Sequence, residues 1–402
     1  MMKLSDIDQN FKLSNDLGKD GLVWINARDP RISLYGLFYD VEKGAYFRLP
    51  EAVAETVSPG VKCLACHTAG GRIRFCTDSE YVAITALQKK PSGIMPHMAF
   101  LGSSGFDAYV FDSGKYVFCG SFIPPVGRDE SYQSIISFEG KEMRDITINF
   151  PLYDRVDSLF IGISDSAVLC AAPGYALDKP IVYYGSSITQ GGCASRPGTS
   201  YEAIISRDLN LDYINLGFSG SAYAEQQMAG YLASLDPCVY VLDYDHNAPD
   251  DDFLKKTHWP LYETIRSCHP DVPIVFVTRP DQPFLKSKRE VVRKNKAIIL
   301  ANYNRAAANG DQHIYYIDGN AFFSGYSMSD CTVDGTHPND LGFYRMAKVI
   351  GASLSAIISD LRAAAAVQRQ SFDPSACEGK KTQAETPPVQ LCSSGRSLEQ
   401  QV

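Results

Sequence analysis

The chain lacks a long hydrophobic run. No stretch approaches about 18 consecutive apolar residues, so no membrane-spanning helix is expected. Its first residues, Met1-Met2-Lys3-Leu4-Ser5-Asp6, lack the apolar centre of an export signal. Positive charge is not in excess: 38 Lys and Arg stand against 46 Asp and Glu, a formal net charge of −8. An acidic surface repels phosphate backbones and anionic lipid, so neither nucleic acid nor a membrane is expected as a partner. A cysteine framework is also missing. The 11 cysteines are odd in number and without regular spacing, so they read as reduced thiols and, with no leader, give the expectation of a cytoplasmic protein. There is no internal repeat, and 31 glycines and 22 prolines without a fixed period exclude a fibre. What remains is 402 residues, 45% hydrophobic and 21% charged, enough to bury the cores of two or three globular domains.

Two grammars divide the chain near residue 175. Residues 1–175 hold short alternating or aromatic runs broken by glycine and proline, such as Gly71-Arg-Ile-Arg-Phe75, Tyr81-Val-Ala-Ile84, Asp145-Ile-Thr-Ile-Asn-Phe150 and Ser158-Leu-Phe-Ile-Gly-Ile163. Such runs predict an antiparallel β-sandwich. Residues 176–366 alternate apolar strands with helical stretches. The strands are Ile181-Val-Tyr-Tyr184, Tyr213-Ile-Asn-Leu216, Val239-Tyr-Val-Leu242, Ile274-Val-Phe-Val277 and Ile314-Tyr-Tyr-Ile317. Helices are expected over 201–209, 261–268, 287–308 and 339–366. Continuously apolar strands with helical crossovers predict a five-stranded parallel sheet covered on both faces, with its site at the carboxyl ends of the strands. The polar segment from Val367 onward is expected to be a disordered tail.

Four of those strand ends carry a chemical vocabulary. They are Gly185-Ser186-Ser187-Ile188-Thr189-Gln190-Gly191, Asn215-Leu-Gly217-Phe-Ser219-Gly220-Ser221, Asp243-Tyr-Asp245-His246-Asn247, and Asp334-Gly335-Thr336-His337. Acyl transfer through a serine needs a nucleophile, a base, a group that orients the base, and donors for the oxyanion. Ser187, just past a strand among small residues, suits the first. Asp334 and His337, three apart on one turn, allow the carboxylate to hold the imidazole Nδ1–H while Nε2 faces the serine. The N–H of Gly220 and the side-chain amide of Asn247 are candidate oxyanion donors.

In order and content these segments resemble the blocks of the SGNH (GDSL-type) hydrolases. The family's Gly-Asp-Ser corresponds to Gly185-Ser186-Ser187, its block-two glycine to Gly220, its block-three asparagine to Asn247, and its Asp-x-x-His to Asp334 and His337. Ser186 stands where the family has aspartate, and Asp245-His246 where it has glycine. Tyr46-Phe-Arg-Leu-Pro50, Gly70-Gly-Arg-Ile-Arg-Phe-Cys-Thr-Asp-Ser79 and Gly105-Phe-Asp107-Ala-Tyr109 resemble the N-terminal β-sandwich of one branch of the family, with Ala108 where that branch has leucine. The resemblance implies a jelly-roll-like sandwich followed by a flavodoxin-like three-layer domain. It also implies an esterase that uses Ser187, His337 and Asp334, with an oxyanion hole of the Ser187 and Gly220 N–H groups and Asn247. Relatives act on small acyl groups, notably acetyl esters on sugars, and need no cofactor. The expected partner is therefore a small-molecule or oligosaccharide ester, with homo-oligomerisation left open. An acyltransferase would use the same residues. A silent carbohydrate-binding protein is the reading from another class.

The remaining motifs receive plainer readings. Ser219 nearly fits a nucleophile elbow but reads as a turn residue. Cys63-Leu-Ala-Cys66-His67 matches a c-type haem attachment motif but reads as a β stretch with buried thiols. Asp243, Asp245, His246 and Asp250 to Asp252 read as a solvated loop rather than a metal site. His258 and Trp259, soon after the Asn247 loop, are candidate pocket residues, with His258 capping a helix from Leu261 as the alternative. His97, His269 and His313 read as surface or structural histidines. Arg72 and Arg74 read as a solvent face.

Overall fold

Period-two burial organises the first half of the chain. In the computed structural model, which describes residues 17–370 except 90–92, 94, 126, 128–129, 281–285 and 326–327, an antiparallel four-stranded sheet runs Leu22–Asn26, Ser158–Ser164, Tyr81–Leu87, Ser131–Ser137. A six-stranded sheet runs Leu169–Cys170, Arg72–Thr77, Arg144–Asn149, Phe106–Asp112, Lys115–Phe122, and Ser33–Tyr35 also pairs with Arg72–Thr77. Alternate residues of both sheets meet in one core: Val82, Ile84, Leu159 and Ile161 from the first, Ile73, Phe75, Ile146 and Ile148 from the second. Three strands that the sequence did not announce, Leu22–Asn26, Ser131–Ser137 and Leu169–Cys170, are all edge strands. An edge tolerates polar residues and so carries a weaker apolar signal.

The second half is a parallel five-stranded sheet in the order Tyr213–Gly217, Ile181–Gly185, Val239–Asp243, Ile274–Val277, Ile314–Ile317. Its three inner strands are buried at every residue, as a sheet covered on both faces requires. The helices Tyr201–Leu209 and Lys286–Ala308 match expectation closely. Gln226–Ser234 was not anticipated. The helix expected from 261 starts ten residues earlier, at Asp251. Asp250 caps it by accepting the Phe253 N–H at 2.7 Å, and the chain stays helical through Pro260. The last helix, Asp340–Gln370, runs past the expected end at 366; the rest of the predicted tail, 371–402, lies outside the described residues. By length and composition Asp340–Leu361 could cross a membrane, with a mean hydropathy of 1.3. Phe343, Met346, Ala347 and Ile350 on that helix are nevertheless buried inside the protein.

Sandwich and parallel sheet belong to one compact unit that ends at Ser353. Buried polar groups join the layers of that unit. Asp107, fully buried, accepts the Gly198 N–H at 2.9 Å and the Asn149 amide at 2.8 Å, and pairs with Arg196 at 3.3 Å. Arg48 donates to the carbonyls of Gly217, Asn215 and Leu64. Arg72 and Arg74 correct their solvent-face reading: both are 1% exposed. Arg72 reaches the Tyr213 carbonyl at 3.2 Å and pairs with Asp212. An alternating strand offers a charged face to water or to another layer with equal ease, and here the other layer takes it.

Candidate active site

Ser187 opens a one-turn helix, Ser187–Gln190, directly after the inner strand Ile181–Gly185. Ser186 caps that turn by accepting the Ile188 N–H at 3.2 Å, and Gly191 closes it at φ +95°, a backbone region that glycine adopts without strain. This gives a local reason for serine at the position before the nucleophile candidate: a hydroxyl serves as the cap. As the first residue of the turn, Ser187 has an N–H with no acceptor within the helix. Its carbonyl accepts the Gly192 N–H at 2.8 Å and the Tyr153 hydroxyl at 3.2 Å, so a sandwich side chain holds the backbone of Ser187.

The three residues predicted to act together are brought together. Ser187 Oγ lies 2.9 Å from His337 Nε2, and His337 Nδ1 lies 2.7 Å from Asp334 Oδ2. The other oxygen of Asp334 accepts the backbone N–H groups of His337 at 2.8 Å and Thr336 at 2.9 Å. Burial pushes the Asp334 carboxyl up, but these N–H bonds and the imidazole outweigh it and hold the group below the usual carboxylate range. The loop is stapled at its base, where Val333 N–H donates to the His337 carbonyl at 2.8 Å and Thr332 bridges Pro338.

Gly220 sits at φ +66° with open space where a side chain would begin. Its turn is closed by the Ser221 N–H donating to the Phe218 carbonyl at 2.9 Å. The Asn247 amide donates to that same carbonyl at 3.1 Å, which ties the two loops together and leaves its second N–H available. Ser219 is a turn residue as expected, its N–H donating to Gln190 Oε1 at 3.0 Å.

Other predicted positions are corrected. His258 caps no helix. It lies in the middle of Asp251–Cys268 at 2% exposure, stacked on Tyr244 and edge-on to Phe276, with its Nδ1 bonded to the Asn302 amide at 3.1 Å. Trp259 packs beneath the Arg305 guanidinium and beside Tyr262. A cleft of about 500 Å³ between Gln226–Ser234 and Asp251–Cys268 is lined by Phe253, Thr257, Pro260 and Leu261, and neither His258 nor Trp259 reaches it. Asp243 and Asp245 are buried rather than solvated. Burial pushes Asp245 up to about 6, and it accepts the Arg279 N–H at 3.2 Å. Among the described residues no trio of His, Cys, Asp or Glu is placed to hold a metal ion. The Cys63–Cys66 segment is the helix Pro59–Leu64 and a turn, with Cys63 exposed, not a β stretch.

Some neighbours of the site escaped the sequence reading. His97, taken for a surface or structural residue, lies in a sandwich loop with its ring 6.0 Å from that of His337. Gln190 joins Leu152 and His67 of the sandwich to the Ser219 turn. His246, beside Asn247, is kept well below the usual imidazole range by burial and then by Arg279 and His337.

Comparison with known proteins agrees with this architecture. Residues 178–355 match the model of the GDSL-like lipase/acylhydrolase family, and residues 22–169 match the N-terminal domain of SGNH-hydrolase-type esterases. A Bacteroides ovatus protein described as a GDSL-like lipase is 31% identical, with a TM-score of 0.76 over 84% of this chain and 98% of its own. The chain belongs to the GDSL-like (SGNH) lipase/acylhydrolase family and is a carboxylic-ester hydrolase. Its fold is shared at 20% identity with the salicylyl-acyltransferase SsfX3 of a tetracycline biosynthetic pathway (TM-score 0.68, 84% of this chain and 98% of that one). It is also shared at 15% identity with a family two carbohydrate esterase from Clostridium thermocellum, solved with cellohexaose (TM-score 0.57, 82% and 99%). No curated protein sequence matches the chain.

Proposed function

We propose that the protein hydrolyses short-acyl esters, in particular O-acetyl groups on carbohydrates, through an acyl-enzyme on Ser187. One observation carries the reading: the unbroken hydrogen-bonded chain from Ser187 Oγ through the His337 ring to Asp334. Ser187 Oγ attacks the ester carbonyl carbon, and its proton passes to His337 Nε2. Asp334 holds the ring by Nδ1–H and stabilises the imidazolium. The N–H groups of Ser187 and Gly220 and the free N–H of Asn247 receive the oxyanion. The carbon–oxygen bond to the alcohol then breaks, and His337 returns the proton to that oxygen. Water, deprotonated by the same ring, releases the acyl group and restores the serine.

The carbohydrate part of the reading is supported by the shared architecture with an esterase solved with cellohexaose. A sandwich that places His97 beside His337 suits an acceptor-side wall. The second reading is acyl transfer to an alcohol, in line with the acyltransferase of the same fold. The test is a panel of p-nitrophenyl esters of increasing chain length and acetylated xylo-oligosaccharides, with wild type and Ser187→Ala. Release of acetate to water without any acceptor, lost in the variant, is the expected result. Hydrolysis retained by Ser187→Ala overturns the nucleophile assignment. Turnover only when an alcohol is supplied moves the protein to the acyltransferases.

A further inference from the structure

Arg48 is a buried charge that the proposed mechanism leaves unused. It directly follows the strand Ala45–Phe47 and is 2% exposed. Among the described residues no carboxylate pairs with it, and its bonds run mainly to backbone carbonyls. A buried cation without a counter-charge is costly, so those carbonyls must be held in place around it. Nη2 donates to the Leu64 carbonyl at 3.0 Å, at the end of the helix Pro59–Leu64. Nη1 donates to the Gly217 carbonyl and, at 3.3 Å, to that of Asn215. The guanidinium also lies over the Phe218 ring, 4.5 Å from its centre.

Asn215 and Phe218, which Arg48 touches, reach all three groups assigned to the oxyanion. The Asn215 amide donates to the Thr189 carbonyl at 2.6 Å, inside the turn that Ser187 opens, and its side-chain oxygen accepts the Gly217 N–H at 2.9 Å. The Phe218 N–H donates to the Gly185 carbonyl at 2.8 Å. Its carbonyl accepts both the Ser221 N–H, which closes the Gly220 turn, and the Asn247 amide. We infer that Arg48 is a positioning residue for ester hydrolysis: through Asn215 and Phe218 it sets the spacing of the Ser187 N–H, the Gly220 N–H and the Asn247 amide, and so their fit to the tetrahedral oxyanion. This rests on the esterase reading above. A lysine keeps the charge but has one nitrogen and no flat face, so it cannot span the Gly217 and Leu64 carbonyls while stacking on Phe218.

The test compares full-length wild type, Arg48→Lys and Phe218→Leu, which keeps the guanidinium and removes the ring beneath it. On p-nitrophenyl acetate, kcat should fall by about 10- to 100-fold in Arg48→Lys with KM within about threefold, because a misaimed donor loses part of what a deleted one loses. Affinity for a phenylboronic acid, which forms an anionic tetrahedral adduct on serine, should fall by the same factor as kcat. Phe218→Leu should show the same pattern with a smaller loss, and it decides the question alone if Arg48→Lys does not fold. Amide exchange over residues 217–221 should quicken in either variant, a result independent of the substrate. Activity lost in Ser187→Ala tests the esterase reading separately. A lowered unfolding midpoint with kcat and boronate affinity unchanged, a loss confined to KM, or unchanged exchange over 217–221 would each overturn the inference.

Discussion

The core placement of His258 has a consequence in acid. Burial holds its imidazole down at about 3, whereas in the unfolded chain the ring titrates near its ordinary 6.5. A base whose folded value is depressed takes up its proton later in the native state than in the unfolded one. The stability it carries is therefore complete above pH 6.5 and is lost as pH falls from there towards 3. One proton bound only by the unfolded chain gives a slope of about 1.4 kcal/mol per pH unit, so moving from pH 7 to pH 5 removes about 2 kcal/mol. His67, also held near 3 by burial and then by the charge of Arg48, adds a second contribution of the same sign. Urea unfolding of wild type and His258→Gln at pH 7, 6 and 5 isolates the first. The variant should be weaker at pH 7, because ring packing on Tyr244 and Phe276 is gone. Its further loss by pH 5 should be smaller than wild type's by about 2 kcal/mol. Ester turnover at pH 7 should be unchanged, since the ring's partners are Tyr244, Phe276 and Asn302 rather than Ser187, His337 or Asp334. An identical acid slope in the variant would refute the argument and put the imidazole in contact with solvent.

Outcomes for four other variants follow from the geometry. His337→Ala should lower kcat by about 10⁶ and Asn247→Ala by about 10² to 10³, measured on a p-nitrophenyl ester; a loss under tenfold in the first would place the base elsewhere. Gly220→Ala meets no atom but must hold φ +66°, so it should cost about 1 to 2 kcal/mol in thermal unfolding while shifting the oxyanion N–H enough to depress kcat. Asp107→Ala leaves Arg196 and the Gly198 N–H without their buried acceptor and should cost about 3 to 5 kcal/mol, read as a lowered unfolding midpoint.

The parallel sheet was legible because its inner strands are buried on both faces, and such strands show as unbroken apolar runs. The site was legible for a related reason. Loops at the carboxyl edge of such a sheet converge, so four chemically dense strand ends in the right order imply proximity before any coordinate is known. Less legible was everything decided by what lies across an interface. Arg72 and Arg74 alternate with apolar neighbours as solvent-facing arginines do, and nothing local says that Tyr213 and Asp212 cover Arg72. His258 follows the Asn247 loop closely in sequence, but the helix begins at Asp251 and carries the ring two turns inward, onto the sheet. Pro260 concealed this, because a proline within an apolar pattern reads as a helix start, whereas here it sits past the first turns of a helix already capped by Asp250.

The same distinction explains what the sandwich contributes to the proposed chemistry, whose three side chains all lie in the other layer. Ser187 must present Oγ to His337 while its own N–H stays free, and a turn of only four residues has little rigidity of its own. Its carbonyl is clamped by the Tyr153 hydroxyl, and its last residue, Gln190, is held by the Leu152 carbonyl on one side and the Ser219 N–H on the other. Tyr153 and Leu152 are sandwich residues, so the turn of the proposed nucleophile is suspended between that layer and the loop carrying Gly220. Anchoring both ends of the turn fixes the direction of the Ser187 N–H relative to the Gly220 N–H, which is the alignment an oxyanion requires. On the proposed mechanism, a parallel-sheet domain without the sandwich would retain every group assigned to the reaction and would lose the clamp that aims them.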